Sequence, residues 1–283
     1  MNITFSKMHG LGNDFVVIDG VNQAIDLDKA QRRLIADRHL GIGCDQILLL
    51  ERSTDDEHDF TYRIFNADGG EVEQCGNGAR CVMRFALDND LTNKNRISLV
   101  TATGTLICKT LTNGNICVDM GAPNFSDESL PFDASLTENI SDNFAKHQIA
   151  FNETNIPFST VSMGNPHAVI PVDDTDTAAV AEHGALIGTH SAFSNGVNVG
   201  FMQLINPSHI KLRVFERGAG ETLACGTGAC AAAALGIRNK LLQDSVAVDL
   251  RGGQLQIEWS GHDSDSLLMS GPAETVFSGK ITL

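Results

Sequence analysis

Short apolar runs separated by turn residues dominate this chain, and only a few stretches carry helical spacing. Phe15-Val16-Val17-Ile18 reads as a strand, followed by a helix from Asp28 to His39 with Asp28 as N-cap and Gly41 as its stop. Ile47 to Leu50 and Phe60 to Phe65 are the next predicted strands. From Gly76 to Leu87 the apolar positions Cys81, Val82, Phe85 and Ala86 fall on one side of a predicted helix. Ile97 to Val100 and Thr105 to Leu111 predict a hairpin, and Asn113-Gly114 marks the turn before Ile116-Cys117-Val118. The theme then repeats with strands at Val169-Ile170, Val199 to Ile205 and Ile210 to Phe215. An alanine-rich helix from Thr227 to Asn239 follows, then a hairpin of Val246 to Leu250 and Leu255 to Trp259. Pro123 to about Ala150 is rich in Ser, Asp and Asn, with little periodicity, and is the expected linker. The expected fold class is α/β, more narrowly α+β, built on mixed sheets with few embedded helices.

Composition narrows the partners. At 283 residues the chain is long enough for two domains with a core each. The formal net charge of -15 would repel a phosphate backbone, so no nucleic acid is expected as partner. No apolar run is long enough to span a bilayer, and Met1 to Lys7 lacks the charged and apolar regions of a secretory leader, so a cytoplasmic location and no membrane partner are expected. Seven cysteines, an odd number, argue for thiols over a disulfide framework.

The candidate chemistry lies in an internal repeat. Arg63 to Ala79 recurs without a gap as Arg213 to Ala229, and eight of the seventeen positions are identical: Arg63/Arg213, Phe65/Phe215, Gly70/Gly220, Glu71/Glu221, Cys75/Cys225, Gly76/Gly226, Gly78/Gly228 and Ala79/Ala229. Each copy places a cysteine between a strand and a helix, ahead of Gly-x-Gly-Ala. Unpaired amides at a helix start stabilise a thiolate and also bind a carboxylate. Two such starts acting on one carbon would supply an acid and a base, as inversion of a stereocentre requires. Cys44, Cys108 and Cys117 read as small buried hydrophobes, and Cys81 and Cys230 sit inside the two helices. A four-thiolate zinc site at Cys75, Cys81, Cys225 and Cys230 would need closer spacing than the sequence has, so no metal is expected. On the residues alone, Asn13 also fits a turn and His167 a satisfied core histidine.

The segments Gln74-Cys75-Gly76-Asn77-Gly78-Ala79-Arg80-Cys81, Ala224-Cys225-Gly226-Thr227-Gly228-Ala229-Cys230 and Lys7-Met8-His9-Gly10-Leu11-Gly12-Asn13-Asp14-Phe15 together resemble the diaminopimelate epimerases, over essentially the whole chain. The resemblance implies a cofactor-independent enzyme, without PLP, that interconverts LL- and meso-diaminopimelate in lysine and peptidoglycan precursor synthesis. It implies two pseudo-symmetric domains meeting at a cleft, each a mixed or antiparallel sheet wrapped around a central helix: residues 1–122, with 272–283 returning to them, and residues 123–271. It implies Cys75 and Cys225 as acid and base, with His167 and Glu216 tuning the thiols or holding the reacting amine. Asn13, Gln46, Asn66, Asn165, Asn198, Glu216 and Arg217 match substrate-holding positions, and Gly76, Asn77, Gly226 and Thr227 match the loops whose amides bind the reacting carboxylate. The implied partners are a diamino diacid and a second copy of the chain. Phe277 falls where the family commonly has a tyrosine at the dimer contact, which removes a hydroxyl hydrogen bond.

These assignments suit the substrate's chemistry. Asn and Gln both donate and accept, which fits ammonium beside carboxylate, and arginine grips a carboxylate with two parallel bonds. A proline or hydroxyproline racemase is the alternative of the same fold, and a non-catalytic amino-acid binding protein the alternative of another class. Gln46, Asn198 and Arg217, placed to hold the far end of a long substrate, favour the first reading over the former. The duplicated Cys-Gly-x-Gly favours it over the latter. PLP chemistry would need a lysine beside a phosphate-cradling loop, and neither repeat offers one.

Overall fold

The computed structural model describes residues 1–72, 75–151 and 154–283; Glu73 and Gln74 of the first repeat therefore lie outside the described residues. The chain divides into two compact units, Met1–Asp119 with Ser270–Leu283, and Met120–Met269.

In the first unit, β1 (Asn2–Gly10) turns through Leu11 and Gly12 into β2 (Asn13–Asp19). Both turn residues have positive φ, 59° and 86°, the two-residue hairpin geometry that matches strand twist. Helix α1 (Lys29–Ala36) follows, then β3 (Gln46–Arg52), β4 (Phe60–Asn66) and β5 (Glu71–Val72). Helix α2 (Gly76–Asp88) leads to β6 (Arg96–Thr101), β7 (Gly104–Thr110) and β8 (Ile116–Asp119). The strand pairings run β1–β2 antiparallel, β2–β3 parallel, β3–β4 and β4–β5 antiparallel, β4–β6 parallel, and β6–β7 antiparallel. Helix α2 touches β1, β2, β3, β7 and β8, so the sheet curls around it and buries Ala79, Cys81, Val82, Met83, Phe85 and Ala86.

The second unit repeats this order. It holds β9 (Glu138–Asn139), β10 (His147–Phe151), β11 (Thr154–Ser162), β12 (Pro166–Pro171), α3 (Val180–Gly188), β13 (Asn198–Asn206), β14 (His209–Glu216) and β15 (Gly220–Thr222). Helix α4 (Gly226–Arg238), β16 (Ser245–Leu250) and β17 (Gly253–Glu258) complete it, and β18 (Leu268–Gly271) straddles the division at Met269. From β11 to β17 the pairings are antiparallel, parallel, antiparallel, antiparallel, parallel and antiparallel, the sequence seen from β1 to β7. The final strand β19 (Glu274–Thr282) lies antiparallel on β1, as β10 does on β11, so the C-terminus supplies the strand that the first unit otherwise lacks. Helix α4 is buried along nearly its whole length, which its alanines permit: small side chains let strands β11 to β14, β16 and β17 close around it.

Two expectations change, and one helix is added. The helix expected over Asp28 to His39 stops at Ala36, because Asp37 is extended and its carboxylate accepts from the amides of His39 and Leu40. Helix α3 carried little sequence signal, since Gly184 and Gly188 are poor helix formers. Packing requires Gly184, because a Cβ there would lie 2.5 Å from Phe215. The expected linker is part of the second unit's core: Phe144 and Ala145 are buried, and Phe132 stacks on Phe193 at 4.8 Å. Among the described residues no helix is long and apolar enough to cross a membrane.

Candidate active site

The repeat is a hairpin followed by a helix, and an arginine–glutamate fork holds each hairpin. Arg63 donates from Nε and Nη2 to the two carboxylate oxygens of Glu71 at 2.8 and 2.9 Å. Arg213 does the same to Glu221 at 2.7 and 2.9 Å. These four are identities of the repeat, and a bidentate bond across two strands explains why both members recur. Each fork closes a tight turn that leaves Asn66 at the end of β4 and Glu216 at the end of β14.

Register places the polar residues. Gln46 opposes Asn66 and its Nε2 donates to the Asn66 Oδ1 at 2.9 Å. In the second unit Asn198 begins β13 opposite His167 of β12, as Gln46 begins β3 opposite Phe15 of β2. By the same offset Asn13 and Asn165 are equivalent. Each is held by the second residue of the central helix: Asn77 Nδ2 donates to Asn13 Oδ1 at 3.3 Å, and Asn165 Nδ2 donates to Thr227 Oγ1 at 3.3 Å. Within the first unit the structure thus assembles Asn13, Gln46, Asn66, Cys75, Gly76 and Asn77. Within the second it assembles Asn165, His167, Asn198, Glu216, Arg217, Cys225, Gly226 and Thr227.

Both cysteines are helix N-caps. Cys75 has extended backbone, and its Sγ accepts from the Gly78 amide at 3.3 Å while its carbonyl accepts from the Tyr62 hydroxyl at 3.3 Å. Gly78 must be glycine, since a Cβ would come within 2.2 Å of that hydroxyl. Cys225 is also extended and lies 3.6 Å from the Thr227 hydroxyl. Burial pushes its thiol well above the usual 9.0, and the Glu216 carboxylate adds to the rise. A helix start by itself favours a thiolate, so here desolvation and a neighbouring anion override the dipole. Glu216 accepts from the Thr222 hydroxyl.

His167 is 1% exposed and its Nε2 lies 3.0 Å from Asn165 Oδ1. Burial, assisted by the Arg217 charge, pushes it down to about 3, so the ring is neutral at pH 7. Arg217 is exposed; its backbone amide donates to Asn198 Oδ1 at 2.9 Å and its guanidinium Nη1 to the Asn195 carbonyl at 2.9 Å. Phe277 lies on β19, 48% exposed and edge-on to Phe5 at 6.0 Å.

The diaminopimelate epimerase family model matches residues 5–126 and 159–276, one stretch holding Cys75 and the other Cys225. The chain belongs to the diaminopimelate epimerase family. It is 54% identical to a diaminopimelate epimerase of Chromobacterium violaceum, across all of both chains. It is 50% identical to one of Nitrosospira multiformis, over all of this chain and 99% of that one. Among solved structures it resembles a hydroxyproline epimerase of Agrobacterium vitis, with a TM-score of 0.71 and 15% identity over 99% of this chain and 92% of that one. A PhzF-family protein of Bacillus anthracis gives 0.70 and 17% identity across all of both chains. At such identities those two likenesses show the fold alone.

The motif reading left several supporting groups unseen. Tyr62, Thr222 and Asn195 contact residues of the expected site without belonging to either repeat's identities. Lys7, Asp14, Arg38 and Asp45 form an ionic group behind Asn13. Lys7 and Asp14 lie in the opening motif, and Asp45 adjoins Gln46, so proximity in sequence was the signal that could have found them.

Proposed function

We propose that the chain interconverts LL- and meso-2,6-diaminopimelate without a cofactor, Cys75 and Cys225 acting as its two acid–base groups. The observation that carries this reading is the duplication of a cysteine-capped central helix whose second residue binds an asparagine, once in each unit. Epimerisation takes the α-proton from one face of the carbon and returns a proton to the other. One sulfur therefore enters as thiolate and the other as thiol, and turnover exchanges their states. Cys225, held protonated by burial and by Glu216, suits the thiol role in the resting enzyme. The amides of Gly76, Asn77, Gly226 and Thr227, at two helix starts, bind the carboxylate next to the reacting carbon and absorb charge as the proton leaves.

Neutral His167 and anionic Glu216 set the surroundings of the thiol and the reacting amine. Asn13, Gln46, Asn66, Asn165, Asn198 and Arg217 hold the remaining ammonium and carboxylate groups. A proline-type substrate has no distal amino acid for Gln46, Asn198 and Arg217 to hold. Val276 and Phe277, 58% and 48% exposed on β19, support a homodimer, with the enzyme working in the cytoplasm on the route to lysine and peptidoglycan precursors.

In deuterated water with no cofactor added, LL-diaminopimelate should yield meso product that carries deuterium at the inverted carbon from the first turnovers, while unreacted LL substrate gains little. A single base serving both faces would return the original hydrogen. Early product rich in retained protium would overturn the two-thiol mechanism, and absence of turnover would overturn the activity.

A further inference from the structure

Asn13 is an amide that its neighbours do not leave free to turn over. Its Nδ2 donates to Asp45 Oδ2 at 2.9 Å, and its Oδ1 accepts from Asn77 Nδ2 at 3.3 Å. An ionised carboxylate has only acceptors, so the group facing Asp45 must be the amide NH2 and the carbonyl oxygen must face the start of α2. Asp45 is itself held from several sides. Its Oδ2 accepts from the Asp14 amide at 3.1 Å, and its Oδ1 accepts from Arg38 Nη2 at 2.8 Å. Arg38 grips Asp14 with two bonds of 2.7 and 3.0 Å, and Lys7, 8% exposed, donates to Asp14 and to the Gly43 carbonyl.

The equivalent position lacks such a lock. Asn165 meets the Thr227 hydroxyl and the His167 ring, and both of these partners can donate or accept. Only the first unit dictates which end of its asparagine is presented.

We propose that Asp45, supported by Arg38, is a positioning residue that fixes the Asn13 amide with its carbonyl oxygen turned toward the Cys75 loop, as an acceptor for a substrate ammonium. This rests on the epimerase reading above. A second lone pair remains on that oxygen beyond the one that Asn77 uses, and an ammonium has donors only. A reversed amide would oppose NH2 to ammonium and lose the bond, so Asp45 favours a cationic group at this point of the site.

The test is the exchange of the two side chains. Asp45→Asn keeps shape but lets position 13 turn over, and its KM for LL-diaminopimelate should rise on the order of 10- to 100-fold, with kcat changing by less than about threefold. The double variant Asn13→Asp with Asp45→Asn restores an acceptor at position 13 held by an amide, and should recover most of that loss. If Asp45 served only as an anchor for Arg38, the double variant would be no better than Asp45→Asn, and that result overturns the proposal. An unchanged KM in Asp45→Asn overturns it as well. Side-chain amide exchange of 15N-labelled Asn13 reads the lock without substrate: slow in the wild type and fast in Asp45→Asn is expected, and equal rates refute it. A wild type without turnover would remove the activity reading, whereas a normal wild type beside an unaffected Asp45→Asn removes only the lock.

Discussion

The two repeats share a frame, charged fork included, and differ in the residues set around each cysteine. Each has an Arg–Glu fork, a tight turn and a cysteine-capped helix. Where the first ends its strand in Asn66 the second has Glu216, and where the first has Asn77 the second has Thr227. On the helix, buried Arg80 of the first corresponds to Cys230 of the second. Cys75 is half-buried and Cys225 buried beside a carboxylate. The frame recurs because backbone placement is the same task in both units. On the proposed mechanism the charges diverge because an acid and a base need different surroundings at the same moment.

The sharpest way to break this comparison is to remove one thiol at a time. Cys75→Ala and Cys225→Ala should each lower turnover by more than about 10⁴-fold if, as proposed, each deletes the only group serving one face. Near-normal epimerisation by either variant would show that the repeats are not two halves of one acid–base pair.

Glu216→Gln tests the charge difference. Removing the anion beside Cys225 should lower that thiol's pKa and move the pH–rate profile toward acid, with kcat affected more than KM. A profile that stays in place would mean that burial alone governs Cys225. Smaller in scale is a steric contrast: Gly78→Ala meets the Tyr62 hydroxyl at 2.2 Å, whereas Gly228→Ala meets Val214 at 3.0 Å. The first should destabilise the protein by about 1–3 kcal/mol and the second by less, as read from denaturant melts. Equal losses would contradict the tighter packing of the first helix.

Acid should separate the units in stability as well. His167 is pushed from 6.5 to about 3 in the folded state, so below 6.5 the unfolded chain binds a proton that the native chain does not. Stability therefore falls as pH drops from about 6.5 toward 3, with a slope on the order of 1 kcal/mol per pH unit. Asp14 acts lower. Burial opposes its ionisation, but hydrogen bonds from Arg38 and Lys7 outweigh that and hold it well below its ordinary 3.8. Its stabilisation is complete above about 3.8 and is lost only as pH falls further. Between about pH 4.5 and 6.5 the loss should fall in the second unit, where burial lowers both His167 and His147, and His167→Gln should reduce that slope.

Much of this molecule could be read from its residues. The sheet-rich fold, the strands on either side of each cysteine and both central helices follow from apolar runs, turn residues and a repeat in which glycine, arginine and glutamate recur at fixed offsets. Such features are local, so spacing along the chain reports them. Tertiary structure alone decided the rest. It built α3 despite two glycines and drew Phe132 and Phe144 into a core, because packing across distant strands outweighs weak local preference. It also set the polarity of Asn13 through Asp45 and raised Cys225 through burial and Glu216. Orientation and desolvation depend on what surrounds a group in space, and a sequence motif names the group without its surroundings.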